Sequence, residues 1–131
     1  MTHYHAVVWI DHREAKIFHF NADDAERLRI RSDNPNQHLH HKAGSISGKH
    51  SPEDHHFLQQ ILDHVKDAQE FLVVGPGAAK LELVKYVHSH APKLASHLIG
   101  VETLDHPSDG ELLRYARRYS KTADRFRPQM G

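Results

Sequence analysis

The chain has 131 residues, 38% of them hydrophobic and 26% charged, which suffices for one compact core and is too short for two ordinary domains. Seventeen Lys and Arg balance seventeen Asp and Glu, so the cationic excess that by itself announces a nucleic-acid binder is absent, while fifteen histidines make the net charge climb on mild acidification. The lack of cysteine excludes a disulfide framework, a thiol nucleophile and zinc sites with sulfur ligands; with no leader-like apolar segment at the start and no window near about 18 apolar residues, a cytoplasmic protein without a membrane partner is expected.

The unbroken Ala6-Val7-Val8-Trp9-Ile10 run predicts a strand from His5 to Ile10 covered on both faces, and therefore central. Asp11 to Glu14 makes a short turn, and Ala15 to Phe20 returns as the second arm of a hairpin. After a turn at Asn21 to Ala25, the stretch Glu26 to Arg31 alternates strictly. Leu28 and Ile30 point one way and Arg27, Arg29 and Arg31 the other, as in an edge strand.

Apolar periodicity then disappears from Ser32 to about Ser51, a loop beyond the ~15 residues usual in a compact domain and rich in histidine. Ser51, Pro52 and Asp54 mark a helix start, and Phe57, Leu58, Ile61, Leu62 and Val65 form one stripe of a helix over 52–68. Glu70 to Val74 reads as a buried strand ending at Gly75-Pro76-Gly77. The next helix, about 78–90, is expected to turn Leu81, Val84, Val87 and Ala91 inward and to stop before Pro92. A strand from about His97 to Leu104 follows. Ser108 and Glu111 form a second capping box for a last helix that buries Leu112, Ala116 and Tyr119 and frays from Asp124. The expected organisation is one domain over 1–122 with a basic tail over 123–131. Right-handed β-α-β crossovers turn this order into a five-stranded mixed sheet, 3-2-1-4-5 with strand 2 antiparallel, helices on both faces, an α/β fold of RNase H-like layout.

Three stretches in this order carry a resemblance: Val7-Val8-Trp9-Ile10-Asp11-His12-Arg13-Glu14-Ala15-Lys16-Ile17, Phe71-Leu72-Val73-Val74-Gly75-Pro76-Gly77-Ala78-Ala79-Lys80, and Gly100-Val101-Glu102-Thr103 with Asp105-His106-Pro107-Ser108-Asp109-Gly110. Over about residues 5–120 the chain resembles the middle domain of archaeal and eukaryotic class-I peptide-chain release factors and of Pelota, and the small bacterial proteins related to that domain. In release factors the loop after the third strand carries the Gly-Gly-Gln tripeptide that promotes peptidyl-tRNA hydrolysis. The matching stretch here is Ser47-Gly48-Lys49-His50-Ser51, with one matching glycine and no glutamine. The resemblance therefore implies a translation-associated protein that binds the ribosome or a structured RNA without hydrolysing peptidyl-tRNA, as Pelota does. The flanking domains that read codons are missing from the likeness.

Candidate RNA contacts are the strand row Arg27, Arg29 and Arg31, the loop lysines Lys42 and Lys49, Lys80 beside the Gly-Pro-Gly turn, and Arg114, Arg117, Arg118 and Lys121 at helical spacing. Both arginine rows also have structural readings, since charged edge strands resist sheet-to-sheet aggregation and basic residues suit the end of a helix. His38, His40, His41 and His50 could hold a transition metal weakly, although their spacing matches no structural zinc pattern, and a metal- or pH-responsive adaptor is the alternative function. A third reading is a metal-dependent nuclease using Asp11, Asp105 and Asp109. Asp11 also suits the hairpin turn and Asp109 lies beside the capping box of the last helix, and catalysis ranks behind binding. No resident cofactor is expected, and a second copy of the chain stays open as a partner.

Overall fold

The computed structural model describes residues 5–32 and 52–126. The strands are β1 (His5–Ile10), β2 (Glu14–Phe20), β3 (Ala25–Arg31), β4 (Glu70–Gly75) and β5 (Leu98–Thr103); the helices are α1 (Pro52–Val65), α2 (Ala79–His90), α3 (Pro92–Ala95) and α4 (Asp109–Phe126). One sheet runs in the order β3-β2-β1-β4-β5. The β1–β2 and β2–β3 pairs are antiparallel and the β1–β4 and β4–β5 pairs parallel, so the expected topology stands and the arginine strand lies at the edge.

Alternation along the strands splits the core into two layers. On one face Val8, Ile10, Ile17, Phe71 and Val73 pack under α1 and α2; on the other Val7, Trp9, Phe18, Leu72 and Val74 pack under Leu112 and Ala116 of α4. The central strands β1 and β4 are buried on both faces, which is why their apolar runs are unbroken. Both hairpin turns are closed by a side chain at their first residue. Asp11 Oδ1 accepts from the amides of Arg13 and Glu14, and Asn21 Oδ1 accepts from those of Asp23 and Asp24.

Two local expectations are corrected and a third is extended. The first helix ends at Val65 rather than 68, because the Ala68 amide turns back to the Val65 carbonyl at 3.0 Å and leads the chain into β4. In α2 the stripe facing the core is Ala79, Leu83, Tyr86 and Val87, whereas Leu81 is 52% exposed; a rotation of about 100° per residue puts Leu81 on the opposite side from Leu83. Pro92 does not merely stop that helix but opens the short α3, whose Leu94 is buried in the same core. The last helix continues to Phe126. Its Ser108–Glu111 capping box is formed reciprocally, the Ser108 amide donating to Glu111 at 2.8 Å and the Glu111 amide to Ser108 Oγ at 3.2 Å. The backbone bond from Ser108, followed by its hydroxyl, holds the Glu111 carboxyl below the usual carboxylate range.

Candidate nucleic-acid interface

α4 lies across one face of the sheet but does not cover β3, so Arg27 and Arg29 stand out of that face, 51% and 45% exposed, with Arg31 exposed beside them. The β2 register places Lys16 opposite Arg29 and Phe18 opposite Arg27, on the side where α4 packs. Both basic rows therefore share one side of the molecule, the condition for one partner to meet both.

Two anchors fix how the rows lie. At the start of α4, Asp109 pairs with Arg27 and with Lys16 at 3.6 Å. Two turns later, Arg117 donates to the carbonyls of Asn21 and Asp24 at 3.2 and 3.3 Å, in the turn that precedes β3. The helix therefore runs opposite to β3, and its later turns extend past the β2–β3 turn. Along this side the cations follow in the order Arg31, Arg29, Arg27, Arg114, Arg117, Arg118 and Lys121. The strand part spans roughly 13 Å at ~3.3 Å per residue, and α4 from Asp109 to Lys121 adds about 18 Å at ~1.5 Å per residue.

A groove of about 380 Å³ follows the helix and is lined by Gly110, Leu113, Arg114, Arg117, Arg118 and Lys121. The cations differ in availability. Arg27 is held by Asp109 and Arg29 by Glu14, while Arg117 fastens the turn to the helix. Arg31, Arg118 and Lys121 have no acidic partner within ion-pair distance among the described residues, and Arg114 is near Glu111 alone.

Lys80 is removed from this surface. It is 8% exposed and donates from Nζ to the Gly77 carbonyl at 2.6 Å, closing the strand-to-helix turn instead of reaching out to a phosphate. Lys42, Lys49, His38, His40, His41 and His50 lie outside the described residues. The carboxylates of the nuclease reading have separate local roles: Asp11 closes a hairpin, Asp105 pairs with His106 at 2.9 Å, and Asp109 takes Lys16 and Arg27. Among the described residues no group of three or more His, Asp or Glu is arranged to hold a metal ion.

Sequence reasoning placed Trp9 and Tyr119 in the interior but missed the hydrogen bonds by which they hold α4 in place. Trp9 Nε1 donates to the carbonyls of Leu104 and Asp105 at 3.3 and 3.0 Å, pinning the β5–α4 connection to the central strand. Tyr119 lies over Gly100 and donates to Glu102 at 2.8 Å on β5. Burial, and then that bond to Glu102, push the Tyr119 phenol up to about 12. An unfolded tyrosine loses its proton near pH 10, whereas the folded one keeps it to about 12, so the folded state holds more protons between these values. Stability present below pH 10 is thus lost from pH 10 to 12. The thermal midpoint of Tyr119→Phe is expected to fall less between pH 9 and pH 11 than that of the unaltered chain, as scanning calorimetry would show; equal falls would assign the alkaline loss to other groups.

No protein-family model matches the sequence, and no curated protein does. Solved structures of translation factors do match. Pelota of Archaeoglobus fulgidus superposes with a TM-score of 0.64 at 13% identity, over 95% of this chain and 34% of its own. Dom34 of S. cerevisiae, a translation termination-like factor involved in RNA quality control pathways, gives 0.61 at 11% identity over 93% and 36%. The archaeal translation termination factor aRF1 gives 0.56 at 14% identity over 92% and 38%. The chain has the α/β fold that these factors share and spans little more than a third of their length. No described helix is long and apolar enough to cross a membrane.

Proposed function

We propose that this chain is a translation-associated protein that binds the ribosome through the cations running from Arg31 to Lys121, without hydrolysing peptidyl-tRNA. The observation that carries the reading is the alignment of the two basic rows along one side of a fold shared with Pelota and Dom34. An archaeal Pelota of this fold is described bound to the ribosome together with ABCE1, at a TM-score of 0.56 and 16% identity to this chain. The non-hydrolytic part rests on the resemblance, in which Ser47-Gly48-Lys49-His50-Ser51 matches the Gly-Gly-Gln loop of release factors with one glycine and no glutamine.

The test is co-sedimentation with bacterial and archaeal ribosomes and their separated subunits at low and moderately high salt. Salt-sensitive association with one subunit is expected. The combined Arg114→Ala, Arg118→Ala and Lys121→Ala variant should weaken it by at least about tenfold, since each lost phosphate contact removes counterion release. Arg117 stays intact because its loss would also release the β2–β3 turn. Equal pelleting of the variant, or no pelleting at either salt, would sink the reading.

A further inference from the structure

We infer that the surface from Arg31 to Lys121 binds double-helical RNA along its backbone rather than single-stranded RNA through its bases. This rests on the ribosome- and RNA-binding reading and narrows it to one class of ligand. The first support is shape. The arginine ledge of β3 and the flank of α4 meet at a step, tied at one end by Asp109 to Arg27 and at the other by Arg117 to the Asn21–Asp24 turn. Regular strand and helix geometry makes each of the two segments rigid, and together they carry cations over roughly 30 Å. That length of fixed charge is suited to the regular phosphate backbone of a duplex, while a flexible strand gains little from a rigid, ring-free track.

The second support is the chemistry beside the cations. Single-strand binders combine a basic groove with aromatic side chains on which bases stack, each base adding substantially to affinity. The groove along α4 contains Gly110, Leu113 and cations, and no ring. Tyr115 and Tyr119, the aromatic side chains of α4 among the described residues, lie on its other flank. Tyr115 and Tyr119 face β5 and each other, with ring centroids 5.9 Å apart, and Tyr119 is bonded to Glu102. Trp9 is buried beneath the helix and Phe18 beneath the same layer. Among the described residues, the flank of α4 that carries the cations offers phosphates partners and lines its groove with no ring; the exposed His106 ring lies at the start of the helix, against Trp9.

The third support is the uneven availability of charge. Asp109 and Glu14 already occupy Arg27 and Arg29, so these two orient the ledge, and Arg31, Arg114, Arg118 and Lys121 remain for phosphates. Four neutralised phosphates correspond to a slope of about −4 in log affinity against log salt for a duplex.

Fluorescence anisotropy with the full chain decides it, using an RNA hairpin of about two helical turns and an unstructured oligouridine of equal length as probes. The hairpin is expected to bind at least about tenfold more tightly, with a slope near −4 that drops to about −2 in the Arg114→Ala, Arg118→Ala variant. Both side chains are exposed, so the variant keeps the fold, which circular dichroism verifies. Oligouridine binding as tightly as the hairpin, or a slope unchanged in the variant, would overturn the inference while leaving RNA binding in place. Binding to neither probe would overturn it too, and the co-sedimentation result then judges the ribosome reading by itself.

Discussion

Gly75→Ala is expected to lower the thermal midpoint by about 10 °C, the counterpart of about 3 kcal/mol in a chain of this size. A Cβ at Gly75 would stand 2.2 Å from the Ile10 carbonyl oxygen and 3.3 Å from its carbon. These are backbone atoms of the central strand, held by β2 on one side and β4 on the other, and cannot turn aside as a side-chain tip can. The Gly75 carbonyl also accepts from the Leu104 amide at 3.1 Å, so displacing it loosens the connection to α4. Gly77→Ala is the control. Nothing lies within 4 Å of a Cβ there, and its effect should stay within about 1 kcal/mol of zero. Similar midpoints for the two variants, measured by calorimetry, would refute the close-approach explanation.

Trp9→Ala is expected to be the more damaging change, at about 4 kcal/mol, with Trp9→Phe costing about half of that. The indole is 2% exposed, packed in the layer beneath α4, and its N–H serves both the Leu104 and Asp105 carbonyls. Alanine leaves a cavity and removes both bonds, whereas phenylalanine keeps most of the volume and removes only the donor. The ring also lies 5.7 Å from the Lys16 ammonium and 5.1 Å from the His106 ring, so the residues around the start of α4 depend on it. Chemical denaturation followed by circular dichroism gives the two values. Equal losses for Ala and Phe would show that the hydrogen bonds dominate and the packing does not. Because α4 carries Arg114, Arg118 and Lys121, the Phe variant should also weaken ribosome association at temperatures where it is still folded.

Much of the architecture follows from local pattern. The doubly apolar run Ala6–Ile10 requires a strand with a layer on each side, and the alternation from Arg27 to Arg31 requires one with a single apolar face. The handedness of β-α-β units then leaves few places for β4 and β5, which is why the order 3-2-1-4-5 is legible before any coordinates. The Ser108–Glu111 box is equally local, since both of its bonds are made within four residues. Composition marks the cations but not their use.

Their use depends on groups far away in the chain. Arg27 meets Asp109 across 82 positions, and Arg117 meets Asn21 across 96; nothing in either neighbourhood encodes these partners. Lys80 is the local exception: its place beside the Gly-Pro-Gly turn suggests a phosphate contact, but the Gly77 carbonyl three residues back takes its ammonium. Leu81 and Leu83 are chemically identical in sequence, and only the rotation of α2 on the sheet decides that Leu83 is buried and Leu81 is not. By itself the sequence determined the five strands and three of the four described helices, their order in the sheet and the existence of two basic rows, because periodicity and turn chemistry act over a few residues. The tertiary structure alone decided that the rows run end to end along one side and which cations remain for a partner, because ion pairing and burial are settled by whichever distant segments the fold brings together.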